Sequence, residues 1–370
     1  MLFLLIVIAM EGGAPVWHID TTDVFQPLSA SEVVVRPDGH VYVLNFNESH
    51  VRHYDADGQF IGQIGRRGKG PGEFTYPSDI FFLNGKLFVN DKLNATVSIL
   101  EPDGTYIDRI SMPSRDTFLI RVDNGWLTGD WSRFGLPEDQ KPGLYRNAAE
   151  SFEEPTKIMT IDKPGFDGGT WVWSSDGETR GRFNPFDNRP KVLVSADGKT
   201  AFVTETENFV IHVYDVTAKK IAHTIRREEP RIPFDYDWAN ERLQERYDRM
   251  ENKSVKLETD FPEYFPVIRN VIIDPNGNLV VDRWRGRPDD NHHPITIDPK
   301  GKELSLAYPW EVLERIGGVH KGHAILTLMN EETTDEAGLV KIPLNQVAAY
   351  AEKNPIVYDG RAGRSISITE

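Results

Sequence analysis

The chain has 370 residues, enough for one large all-β domain or two ordinary ones, and carries a formal charge of −15 with a pI near 5.2. That acidity sets a repulsive average field against a phosphate backbone and argues against nucleic acid as a partner. There are no cysteines, which excludes disulfides and thiolate metal sites, while 30 glycines, 24 prolines and 11% aromatic residues suit short strands joined by many turns.

Leu2–Met10 (LFLLIVIAM) is the one long apolar run, and it is too short to span a bilayer as a helix. It fits the apolar core of a secretory signal, although no basic residue precedes it and Gly12-Gly13-Ala14 runs straight into Pro15; the competing reading is a buried strand. We read 1–14 as a signal or leader segment and 15–370 as a single domain. This predicts a periplasmic or secreted protein with no membrane span, and a monomer.

Val16–Thr21 is an orphan strand. A full unit follows: strand Val33–Val35, turn Arg36-Pro37-Asp38-Gly39, strand Val41–Leu44, strand Val51–Tyr54, turn Asp55-Ala56-Asp57-Gly58, strand Phe60–Ile64. Four short antiparallel strands in about 35 residues is the period of a propeller blade. Next comes Gly65–Asp79 (GRRGKGPGEFTYPSD), whose glycines and two prolines rule out a helix or a central strand. It is not a Walker loop, because Gly68-Lys69 leads into Gly70-Pro71 and a strand rather than Ser/Thr and a helix. The second unit repeats the first: Ile80–Leu83, Asn84-Gly85, Lys86–Asn90, Val97–Glu101, Pro102-Asp103-Gly104, Tyr106–Ile110. Its turns stand where those of the first unit stand.

The residues Gly65-Arg66-Arg67-Gly68-Lys69-Gly70-Pro71-Gly72-Glu73-Phe74, with Tyr76-Pro77-Ser78-Asp79-Ile80, resemble the signature of NHL-type repeats in bacterial six-bladed β-propellers. The resemblance implies an all-β, six-bladed ring. Propellers of that kind include lactonases and amidating lyases that hold a divalent ion in the channel, so it also implies Ca²⁺ or Zn²⁺ as the cofactor to look for.

The third unit opens with Phe118–Val122, Asp123-Asn124-Gly125 and Trp126–Trp131; a long polar connection follows, and Pro155–Ile161 closes it. Asp162–Pro190 reads as a decorated loop. The fourth unit is regular: Val192–Ser195, Ala201–Glu205, Val210–Asp215, Ile221–Arg226. Asp235–Lys256 is a charged insertion in which Tyr236, Leu243, Tyr247 and Met250 share one helical face, with Asp235 or Asp237 as cap. It reads as a helix packed on the ring, with a lid beside the channel as its functional alternative. The fifth unit has Val267–Ile273, Leu279–Trp284, Ile295–Ile297 and Glu303–Leu306; the sixth has Ile316–Val319, Ala324–Met329 and Leu339–Ile342 and lacks a fourth strand. The orphan strand near the start supplies it, which predicts that strands from the two ends of the sequence share one blade and leave no exposed edge.

Function sits in sites grafted on the scaffold, here on inner strands and the loops that reach the channel. Asp79 begins an inner strand; Arg269 and Asn270 hold the matching place in the fifth unit, and Arg121 lies on the inner strand of the third. An arginine there needs a carboxylate or an anionic ligand. Asp91 and Asp282 end second strands near one rim, and His320 and His323 bracket Lys321-Gly322. His292-His293 is a loop pair read as solvated. No zinc pattern and no EF-hand loop occurs; Asp289-Asp290-Asn291 alone is dense enough to consider for Ca²⁺, so no metal ligand is assigned. Gly-x-Ser-x-Gly is absent as well. These observations point to a non-enzymatic propeller that binds a protein or small-molecule ligand, with a metal-dependent hydrolase or lyase using the central channel as the alternative.

Overall fold

The computed structural model describes residues 16–20, 30–112, 117–123, 125–130, 143–147, 156–160, 171–175, 178–183, 190–241, 262–286, 292–328, 338–353 and 367–369. Their strands sort into six blades and one separate hairpin. Blade 1 is Ala30–Val35, Val41–Asn45, His50–Tyr54 and Phe60–Ile64; blade 2 is Pro77–Leu83, Lys86–Asp91, Thr96–Leu100 and Tyr106–Ser111. Blade 3 is Thr117–Val122, Gly125–Asp130, Gly143–Asn147 and Thr156–Thr160, and blade 4 is Val192–Val194, Thr200–Glu205, Phe209–Asp215 and Lys220–Arg227. Blade 5 is Ile268–Ile273, Leu279–Arg283, Ile295–Ile297 and Glu303–Leu304. In blade 6, Ile316–His320, His323–Leu328 and Gly338–Pro343 are joined on the outside by Trp17–Asp20.

Blade 6 therefore draws strands from both ends of the sequence, with Trp17 opposite Lys341 and Asp20 opposite Gly338. Trp17 and Ile19 then pack with Ile325 and Leu339 against Val33, Val35 and Val41 of blade 1. Five more apolar clusters fill the interfaces 1–2, 2–3, 3–4, 4–5 and 5–6. Each sheet hides both faces only against its neighbours, so the ring has to close. Burial falls outward accordingly: Val41–Asn45 is buried throughout, while the outer strand Phe60–Ile64 is mostly exposed.

The turns follow their residue types. Asn84 (φ 51°) and Gly85 (φ 79°) make a two-residue hairpin turn that needs left-handed backbone at both positions. Gly65 (φ 77°) has no room for a side chain, because a Cβ there would lie 2.1 Å from the Phe74 ring. Around it Glu73 receives Arg66 Nε at 2.9 Å and the Gly70 amide at 2.9 Å, and Arg109 donates to the carbonyls of Lys69 and Gly70. The glycine-rich stretch is thus an inter-blade strut.

Four features differ from the sequence reading. Gly143–Asn147 is a strand, not part of a connection; Leu144 and Asn147 are buried, and neighbouring strands supply the apolar surface that its own sequence lacks. Trp171–Ser175 and Glu178–Phe183 pair as a hairpin inside the stretch read as a loop. In the insertion the expected helix and cap are present over the described residues, 236–241 being helical with Asp235 Oδ1 accepting the Trp238 amide at 2.9 Å, but the packed face differs. Trp238 and Ala239 are the buried residues there; Tyr236 is exposed and donates to the Pro262 carbonyl, and Leu243, Tyr247 and Met250 lie outside the described residues. Ser367–Thr369 is an additional strand on the channel edge of blade 6. The leader and Asp289-Asp290-Asn291 also fall outside the described residues.

Candidate functional site at the loop rim of blades 5 and 6

All inner strands begin at one rim, shared with the inter-blade connections and the turns between second and third strands; we term it the loop rim. The opposite hairpin rim carries the remaining turns. At the loop rim the inner strands of four blades bulge at the same place, at Ser31, Ser78, Arg269 and Gly317, where the register with the second strand slips by one. A bulge re-aims its side chain. In blade 5 the re-aimed residue is an arginine.

Arg269 turns to Asp282, with Nε 3.7 Å from Oδ2, and its guanidinium lies 4.9 Å from the centre of the Trp284 ring. Asp282 is fully buried. It also accepts the Nδ1–H of His292 at 2.8 Å and the His293 amide at 2.8 Å. His292 stacks on Trp310 at 5.4 Å. One turn of helix further, Glu314 brings its carboxyl to the same place. Both its oxygens are buried without a hydrogen bond, and burial pushes its pKa up to about 7, partly opposed by His292 and by the nearby Trp310 indole, which does not reach bonding geometry. His292 and the Glu314 carboxyl, which burial pushes up, thus flank one buried carboxylate, that of Asp282.

The rim continues into blade 4 through Glu229, which is held by Arg283 at 3.0 Å and Arg285 at 2.5 Å; burial pushes its carboxyl up, but the arginines outweigh it and leave it below the usual range. Arg283 also donates to the His293 carbonyl at 3.2 Å. Trp284 stacks on Phe265 at 5.1 Å, and Phe265 packs against Phe234 and Trp238 of the insertion. The helical insertion therefore abuts the ring system that carries Arg269.

The eight residues singled out in the sequence divide between the two rims. Arg269, Asn270 and Asp282 meet at blade 5, where Asn270 is buried and accepts the Val271 amide at 2.9 Å. Asp79 and Asp91 lie at the loop rim of blade 2. Asp79 sits among Ser78 Oγ at 3.0 Å, Asn90 Nδ2 at 3.3 Å and the Glu32 carboxyl; burial raises its pKa against those contacts. Asp91 accepts the Thr75 and Tyr76 amides at 2.7 and 3.0 Å and Asn94 at 2.7 Å. Arg121, His320 and His323 stand at the hairpin rim, beside first-to-second-strand turns. Arg121 is solvent-accessible yet crowded, which lowers its pKa against the pull of Asp123. His320 is buried next to the Gly39 turn of blade 1, and His323 Nδ1 lies 2.9 Å from the Lys321 carbonyl.

The sequence reading passed over Glu314, Trp310 and Trp284 and left His292 as a solvated loop residue. The Asp282-to-His293 spacing across a second-to-third-strand loop was the available signal. Among the described residues no group of three or more His, Asp or Glu side chains is placed to hold a metal ion, and no helix is long and apolar enough to cross a membrane.

A family model described as "6-bladed beta-propeller" matches residues 18–82, which include the glycine-rich strut. No curated protein matches the chain in sequence. A Bacteroides fragilis NCTC 9343 structure, named as a candidate exported protein, superposes with a TM-score of 0.53 at 14% identity, covering 88% of this chain and 93% of that one. Regucalcin, a calcium-binding protein from Agrobacterium tumefaciens str. C58, gives 0.41 at 11% identity over 90% of this chain and 93% of its own. A gluconolactonase from Xanthomonas campestris gives 0.41 at 10% identity, over 90% and 89%. At such identities likeness speaks to fold, and with its six closed blades the chain is a six-bladed β-propeller.

Proposed function

We propose that the chain is a ligand-binding propeller that works as a monomer outside the cytoplasm, with its ligand seat at the loop rim of blades 5 and 6. One observation carries this reading. The fully buried Asp282 fixes Arg269 and His292, from separate segments, beside Trp284 and Trp310. Burying a charged constellation is costly and seldom the best route to stability, and a neighbouring group with a perturbed pKa, Glu314, lies against it. A small polar ligand with an anionic or carbonyl oxygen suits the arginine. The apolar run Leu2–Met10 supports export, and the strut Gly65–Ile80 supports kinship with NHL-type propellers.

The test is a tryptophan-fluorescence titration of the full chain with small carboxylates, sugars and dipeptides, repeated on Asp282→Asn. The reading requires a saturable signal that the substitution removes. Saturable signals that all survive it would place binding elsewhere.

A second reading, a hydrolase or lyase at the same rim, is favoured by the His292–Asp282 pair next to Glu314, whose carboxyl exchanges its proton near pH 7. Its metal-dependent form predicts stoichiometric Ca²⁺ or Zn²⁺ in elemental analysis of the purified protein.

A further inference from the structure

In blade 6 the channel edge of the inner strand is not bare. Ser367–Thr369 lies along it in parallel, with Gly318 opposite Ser367, Val319 opposite Ile368 and His320 opposite Thr369. The other five blades carry four strands each among the described residues, and none has a strand added on that edge. The added strand also adjoins the inner strand Ala30–Val35 of blade 1.

Local sequence explains why blade 6 accepts it. Ile316-Gly317-Gly318 is the one inner-strand start built of consecutive glycines, and glycine within a strand marks close approach of another backbone. Gly317 sits on the bulge, and a Cβ there would come 2.7 Å from Cβ of Val33, so blades 6 and 1 converge tightly behind the added strand. The pairing covers three positions, while the inner strand extends to Ile316. Parallel pairing is slightly less stable per residue than antiparallel pairing, only three positions hold the added strand, and a strand edge is a template for any extended chain.

We propose that the channel edge Ile316–His320 is an acceptor site for an extended polypeptide segment, and that Ser367–Thr369 is its resident occupant. The partner it fits is a protein that offers an extended segment of small and β-branched residues, with a composition like that of Ser365-Ile366-Ser367-Ile368-Thr369 in this chain, bound by strand addition. The acceptor edge begins at Ile316, two residues after Glu314 of the loop-rim seat, but its test reads peptide pairing rather than small-ligand binding, so the two proposals can fail separately.

The test uses the full chain carrying Ile368→Pro, since proline cannot donate to the ladder. A fluorescein-labelled peptide of sequence 364–370 is followed by anisotropy. Binding to the variant at least tenfold tighter than to the unsubstituted chain is expected, together with no binding of the same peptide bearing proline at the Ile368 position. Failure of the peptide to bind the variant, or equal binding of the proline peptide, would overturn the proposal. Hydrogen exchange guards against misfolding: 316–320 should exchange at least tenfold faster in the variant while Val41–Asn45 is unchanged, and unchanged protection of 316–320 would show that the resident strand is not seated there.

Discussion

Blades 2 and 5 place carboxylates at the same rim, yet they use them differently. Asp91 stands opposite Pro77, and the residue in the corresponding place in blade 5 is Arg283, opposite Ile268. Asp282 stands one register earlier, opposite Asn270, where blade 2 has Asn90 opposite Asp79. Successive residues of a strand face opposite ways. Asp91 therefore meets the backbone of the preceding connection, and the Thr75 and Tyr76 amides saturate it. Asp282 accepts one main-chain amide, that of His293, but its other partners are the bulged arginine and a loop histidine. A carboxylate that accepts main-chain amides is a fastening. One that also accepts ionisable side chains from other segments holds a buried charged constellation instead.

Four measurements can break or sharpen that contrast. The largest effect is expected for Asp282→Ala, which leaves Arg269 and His292 without their buried partner; a loss of about 3–5 kcal/mol in urea unfolding at neutral pH is expected. Next comes Glu314→Gln. The folded carboxyl titrates near 7 against an ordinary 4.5, so the folded state holds the proton more tightly and stability falls as pH rises between those values. The substitution should stabilise by up to about 3 kcal/mol at pH 8 and by little at pH 4.5. A gain of equal size at both pH values would mean that the carboxyl is not perturbed.

Asp91→Ala should cost less, about 1–3 kcal/mol, because it leaves neutral amides rather than charged side chains without their partner. If Asp91→Ala and Asp282→Ala cost the same and leave fluorescence titrations alike, the two blades use equivalent fastenings and the functional reading of Asp282 loses its basis. The smallest effect is at the hairpin rim. His53, stacked on Tyr42 at 4.1 Å and 2.8 Å from His40 Nδ1, is pushed down to about 4 by burial, then by His40 and Arg36. Its folded pKa lies below the ordinary 6.5, so its contribution is complete above 6.5 and is lost as pH falls toward 4. His53→Gln should flatten that acid limb of Tm against pH and leave the Glu314 limb untouched.

Much of the fold was legible because it is written in short-range chemistry. Asp-Gly and Asn-Gly turns recur at matching places, and the strands between them are too short to be anything else. The missing fourth strand of the last unit and the orphan strand Trp17–Asp20 were legible as one closure, since a ring cannot leave an edge. Gly143–Asn147 was not legible, because its burial comes from its neighbours. At the site, Arg269 and Asp282 stood out by residue type and position. Glu314 and Trp310 did not, because they belong to a four-residue helix with no cap and no stripe, whose direction is set by packing between blades 5 and 6.

The sequence by itself determined a closed ring of short antiparallel sheets, since turn residues and apolar alternation act over a few residues and leave one way to hide both faces of each sheet. Tertiary structure alone decided which carboxylate meets the main chain of the preceding connection and which meets the bulged arginine. A one-residue slip at a bulge reverses the direction of a side chain, and that slip is set by how neighbouring blades meet.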